Sequence, residues 1–198
     1  MKGRSLDRPP TGRHDRGVTE ARKLRYADLA SLPDDGRRHE LYEGELVVTP
    51  SHETPHQVLL RNLCVPLYLF VKQHGLGTVL FAPLDVIFTD DTVLEPDLLF
   101  ISRARLAQLG RRGMEAAPDL VVEILSPSTA RRDLTRKRAL YAKHRVPEYW
   151  IVDPDDETLD RYQLSGDEFV LQAHLGRTDT LTSPLFPGFS LALEEIFE

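Results

Sequence analysis

Leu120-Val121-Val122-Glu123-Ile124-Leu125 and Tyr149-Trp150-Ile151-Val152 are two short, nearly continuous apolar runs. A strand wetted on one side alternates apolar and polar residues. A run without alternation is the pattern of a strand covered on both faces. Between the two runs, from Arg132 to His144, the apolar spacing is helical. A strand, a helix and a second strand in this order predict a right-handed crossover within one sheet. The unit therefore predicts an α/β fold, a mixed β-sheet flanked by α-helices.

The rest of the chain extends that unit. Tyr26–Ala30 predicts a short helix, and His39–Val48 a hairpin around Gly44. Thr54–His74 carries Val58, Leu59, Leu63, Leu67, Phe70 and Val71 at helical spacing and stops at Gly75, with a kink expected at Pro66. Thr78–Phe81, Asp85–Phe88 and Leu98–Ile101 read as strands, the last two separated by a turn at Thr89-Asp90-Asp91-Thr92. Arg103–Leu109 reads as a short helix, and Leu159–Leu164 with Phe169–Leu175 as a late hairpin.

At 198 residues, 41% of them hydrophobic, the chain suits one domain over residues 23–198. Residues 1–22 are rich in Gly, Pro and Arg and predict a disordered basic arm. No apolar run reaches the roughly 18–20 residues that span a bilayer, and the N-terminus lacks the apolar centre of a secretory signal. These features predict a cytoplasmic protein without a membrane partner. The single Cys64 excludes an internal disulfide and a cysteine-based zinc site, and reads as a small buried hydrophobe. Without a phosphate-binding glycine loop, ATP is not expected. The net charge of −6 argues against a non-specific nucleic-acid coat, but the charge is uneven. Residues 1–25 hold eight basic and three acidic side chains, and residues 131–145 seven basic ones against Asp133. An acidic body with basic patches suits an enzyme that meets an anionic polymer at one place. It suits an ordinary soluble protein equally.

Three residues break the pattern. Glu123 lies inside a buried strand, where a carboxylate needs a partner, a proton or a cation; a strand end reaching solvent, or a structural arginine, would also explain it. Asp97, in Glu95-Pro96-Asp97, stands at the start of a strand, although Pro-Asp is also a common turn dipeptide. Lys137 projects between Leu140 and Tyr141 on the inward half of its helix, with Leu134 on the same side and Arg132, Arg136 and Lys143 on the polar face. A stem packed along the core with its amine escaping to water gives the same placement. Two carboxylates on adjacent strands can hold Mg2+ or Mn2+ through oxygen, and a nearby lysine can stabilise charge developing on a phosphate.

The residues in order resemble a known family, from Tyr26 to Phe197. They comprise His39-Glu40-Leu41-Tyr42-Glu43-Gly44-Glu45-Leu46, Pro50, His56-Gln57, Pro96-Asp97-Leu98, and Pro118-Asp119-Leu120-Val121-Val122-Glu123-Ile124-Leu125-Ser126-Pro127-Ser128-Thr129. Asp133, Lys137, Tyr141, Val146-Pro147-Glu148-Tyr149-Trp150-Ile151-Val152-Asp153-Pro154 and Leu185-Phe186-Pro187-Gly188-Phe189 continue the series. The chain resembles the Uma-two family of restriction-endonuclease-like proteins, a branch of the PD-(D/E)XK nuclease superfamily. The resemblance implies a restriction-endonuclease-like mixed sheet with a metal site at its edge. It implies DNA as substrate, Asp97 and Glu123 as metal-binding catalytic acids, and Lys137 as the catalytic lysine. The superfamily's lysine stands two residues after the glutamate, where this chain has Leu125; the family's usual answer is a lysine on the following helix, which Lys137 matches.

Further candidates flank these. Glu40 and Glu45 could add an acidic ligand or be exposed hairpin charge. His52 and His56 are four apart, but His52 precedes the helix, which leaves His56 as the one to face the site. Arg132, Arg136 and Lys143 would contact the nucleic-acid backbone, a role without sequence specificity. Cutting both strands requires two sites, which admits a homodimer. The alternatives to a DNA endonuclease are an RNA-cleaving nuclease and a non-catalytic nuclease fold used for binding or assembly.

Overall fold

The computed structural model describes residues 22–33, 35–50, 53–126 and 133–198. The expectations for the arm at residues 1–21, for His52, for the loop at 127–129 and for Arg132 fall outside them. The strands are β1 (Arg38–Tyr42), β2 (Glu45–Thr49), β3 (Gly77–Phe81), β4 (Asp85–Thr89), β5 (Thr92–Leu94), β6 (Leu98–Ser102) and β7 (Gly113–Met114). They continue with β8 (Leu120–Ile124), β9 (Glu148–Asp153), β10 (Thr158–Ser165), β11 (Glu168–Gly176) and the short pair β12 (Thr180–Leu181) and β13 (Leu191–Ala192). The α-helices are α1 (Tyr26–Leu29), α2 (Thr54–Gln73) and α3 (Arg138–Lys143), the last preceded by a π-helical turn at Asp133–Lys137.

β8 and β9 sit at the centre of a six-stranded sheet of order β11-β10-β9-β8-β6-β3 and run parallel, so the helical segment between them is the expected crossover. Both faces are covered, which is why neither strand alternates. Leu120, Val122 and Ile124 pack with Leu59, Leu63 and Leu67 of α2 and with Phe186 near the C-terminus. Val121 and Leu125 pack with Leu140 and Tyr141 of α3 and with Val86 and Leu94. Burial of each such leucine contributes about 1.5–3 kcal/mol.

Val86 and Leu94 belong to a second sheet, β2-β1-β5-β4-β7, which the sequence did not separate from the first. The turn at 89–92 closes the β4–β5 hairpin instead of leading to β6; β5 is three residues long and offers too little pattern to read. The early hairpin turns through Glu43 and Gly44, both at positive φ, and a Cβ on Gly44 would stand 2.6 Å from Cβ of Lys23. α2 remains helical through Pro66, and the segment after β6 winds as a 3-10 helix at Arg103–Gln108. Cys64 is half-buried against the α2-side core. Among the described residues no helix is long and apolar enough to cross a membrane.

Candidate active site

The two sheets meet along a seam, and Glu95-Pro96-Asp97 crosses it from β5 to β6. Leu98 pairs with Val122 in antiparallel register, which carries Asp97 to a position opposite Glu123. Residues opposite one another in a sheet project to the same face. Here it is the face of Val121 and Leu125, beneath α3. Arg38, Glu40 and Tyr42 alternate along β1 and therefore also share one side.

Every oxygen of Asp97 has a partner. Oδ1 accepts from Nη2 of Arg38 at 2.8 Å, and Oδ2 accepts from the Ile124 amide at 2.7 Å and lies 3.0 Å from Nε2 of His56. The Arg38 guanidinium also reaches Glu95, with Nε 3.0 Å from Oε1. Glu40 accepts from the Glu95 amide at 2.8 Å and from the Tyr42 hydroxyl at 3.1 Å. Lys137 Nζ donates to Oε1 of Glu123 at 2.8 Å and stands 3.1 Å from Oε1 of Glu40. The Tyr141 hydroxyl donates to the same Glu123 oxygen at 2.6 Å.

The cluster is acidic and dry. Glu40, Glu95, Asp97 and Glu123 are each at most 7% exposed, and among the described residues Arg38 and Lys137 pair with them. Burial pushes Glu95 up to about 7; Arg38 opposes the rise, and Glu40 and Asp85 add to it. Burial, then the charge of Glu123, holds the Tyr141 phenol protonated far above its usual range, so it acts as a donor. Burial works against the Arg38 charge, but Asp97, Glu123 and Glu95 outweigh it and keep the guanidinium protonated. Among the described residues the four carboxylates outnumber the basic side chains paired with them, Arg38, Lys137 and His56. Carboxylate oxygens in such excess are the donor set of a hard cation such as Mg2+ or Mn2+. Among the described residues no three His, Cys, Asp or Glu side chains converge as a ready-made cage. The donors fit in kind, and among the described residues their present partners are Arg38, His56, Lys137, the Ile124 amide and the Tyr141 hydroxyl.

Of the residues singled out from sequence, Asp97, Glu123, Lys137, Glu40 and His56 come together. Glu45 does not: strand alternation turns it to solvent, where it pairs with Arg136 at 2.7 Å. Arg136 lies over the Tyr42 ring, 4.9 Å from its centroid, and Lys143 pairs with Glu43. Leu134, expected inward, is 41% exposed. The π-helical turn winds more than 3.6 residues per turn, so a wheel drawn at about 100° per residue misplaces what precedes α3. Arg38, Glu95 and Tyr141 had no assigned part. Their signals were present in the Arg38-x-Glu40 alternation, the Glu-Pro-Asp tripeptide and the four-residue step from Lys137 to Tyr141.

The profile of the Uma2 family, described as "Putative restriction endonuclease", matches residues 26–194. The chain is similar to a solved structure described as "a putative nuclease belonging to DUF820 from Anabaena variabilis ATCC 29413". The TM-score is 0.73 at 20% sequence identity, covering 88% of this chain and 97% of that one. At that identity the likeness establishes the shared fold. No curated protein matches the chain.

Proposed function

The chain belongs to the Uma2 family, "Putative restriction endonuclease", and on that premise we propose that it is a divalent-metal-dependent nuclease hydrolysing phosphodiester bonds of DNA. The observation that carries this reading is Lys137. A primary ammonium only 2% exposed is held 2.8 Å from Glu123, the residue opposite Asp97.

Asp97 and Glu123 would hold Mg2+ or Mn2+. A cation so bound lowers the pKa of a water and offsets charge on a phosphate. The chain's own groups do the rest. Tyr141 fixes Oε1 of Glu123 and with it the carboxylate's orientation. Glu40 and Glu123 flank Lys137 and hold its amine beside the acidic pair. An ammonium placed in this way can donate to a phosphoryl oxygen as negative charge develops there. Arg136 and Lys143, exposed on the outer side of the same helical segment, would meet the phosphate backbone without reading sequence.

The test is nicking of supercoiled plasmid with Mg2+ or Mn2+ by wild type, Asp97→Asn, Glu123→Gln and Lys137→Met. Metal-dependent nicking lost in the first two variants, and reduced roughly a hundredfold in the third, is the expected result. Cleavage of RNA but not DNA would move the substrate class. A folded wild type that cleaves neither would leave a nuclease fold used for binding or assembly. Double-strand cutting by a homodimer would appear as linear product together with a dimeric mass in solution.

A further inference from the structure

Both oxygens of Asp97 and Oε1 of Glu123 are engaged, and one engagement differs from the others. On Asp97, the Ile124 amide is fixed in a central strand, and His56 is fixed on the long helix α2. Arg38, by contrast, is a long side chain on β1 of the other sheet, 12% exposed, with a full positive charge directed at Asp97. We propose that Arg38 is an internal counter-ion that holds Asp97 in the absence of a divalent cation and releases it when one binds. The inference rests on the metal-dependent reading above and concerns how that site is loaded.

The geometry makes the exchange inexpensive. Arg38 contacts Asp97 through Nη2 alone, at 2.8 Å. Its Nε lies 3.0 Å from Glu95 Oε1 as an ion pair without a hydrogen bond to that oxygen, and its Nη1 donates to the Glu95 carbonyl at 3.4 Å. On leaving Asp97 the guanidinium keeps both contacts to Glu95, so it is not stranded in a dry site. While it remains, its charge would repel an incoming cation and its Nη2 occupies Oδ1 of Asp97. Arg38 is thus a positioning residue acting through Asp97. The cluster still requires its charge, because among the described residues its four carboxylates outnumber its basic side chains.

Mn2+ binding measured by calorimetry on the full chain tests this. Arg38→Gln keeps amide donors near Glu95 and removes the charge. It is expected to bind Mn2+ roughly tenfold or more tighter than wild type, the scale of removing one adjacent like charge. Arg38→Lys, which keeps the charge, should stay near wild type, and Asp97→Asn added to Arg38→Gln should abolish the gain. Equal or weaker binding by folded Arg38→Gln overturns the proposal. If that variant does not fold, the wild type decides. The arginine Nη resonances absent from Arg38→Lys should change exchange behaviour on adding Mg2+, and no change at saturation overturns it. The two readings fail separately. Wild-type nicking without an affinity gain in Arg38→Gln removes the counter-ion role and leaves the nuclease. A gain that needs Asp97, in a protein that cuts neither DNA nor RNA, does the reverse.

Discussion

Arg136 and Lys137 are neighbours in one helical turn with the same charge, and they occupy different solvents. The Arg136 side chain is 47% exposed and pairs with Glu45, itself 62% exposed. The Lys137 side chain is 3% exposed and is shared by Glu40 and Glu123. One hairpin supplies a partner to each: Glu40 points into the seam and Glu45 out of it. An exposed pair in water contributes about 0–1 kcal/mol because both ions are well solvated apart. A buried pair is not thereby strongly stabilising, but breaking it strands a charge where water cannot reach. The difference teaches that the basic run at 131–145 is not one functional surface.

The sharpest break of this contrast is Lys137→Met. It leaves Glu40 and Glu123 without their shared cation, and is expected to lower unfolding free energy by about 3–5 kcal/mol in denaturant titrations without metal. A loss below about 1 kcal/mol would place the ammonium in water after all. A second effect comes from Glu95. Because its native pKa is near 7 and its unfolded one near 4.5, the native state retains a proton that the unfolded chain releases. This residue's contribution to stability therefore falls as pH rises from about 4.5 to about 7 and is level above. The total has an upper bound of about 3 kcal/mol. Glu95→Gln should remove that part of the slope in metal-free thermal melts; an unchanged slope would assign the proton elsewhere. Tyr141→Phe removes only a donor to Glu123 and is expected to cost roughly 1.5–3 kcal/mol, by the same denaturant measurement. At the small end, Arg136→Met should change stability by less than about 1 kcal/mol and lower the salt slope of DNA binding by about one. A stability loss matching that of Lys137→Met would erase the contrast.

Much of the frame was legible in the chain. The unalternating runs at 120–125 and 149–152 announced central strands because burial on both faces leaves no polar positions. Glu123 was conspicuous for the same reason, as a charge in a stretch that otherwise has none. Arg38 was not, because a strand residue beside a hairpin is ordinarily half wet. Only the packing of the second sheet against the first turns its side chain toward Asp97. Glu95 was hidden by proximity, since Pro96 explained the tripeptide as a turn. The π-helical turn was illegible because an extra residue per turn leaves the composition of a helix unchanged and alters only its phase.

The contacts that make the cluster span very different lengths of chain. Lys137 and Glu123 are 14 residues apart, His56 and Asp97 41, and Arg38 and Asp97 59. Closing a longer loop costs more entropy, and distant pairings form later along a folding route. The crossover unit is therefore expected to bring lysine and glutamate together first, before Arg38 reaches the aspartate. The early hairpin would dock last. In pulse-labelled hydrogen exchange, amides of β8 and β9 should gain protection before those of β1, and simultaneous protection would show that the seam closes in one step. The site would then be born with its lysine and completed by its arginine, so that the residue proposed to yield to metal is also the last to arrive.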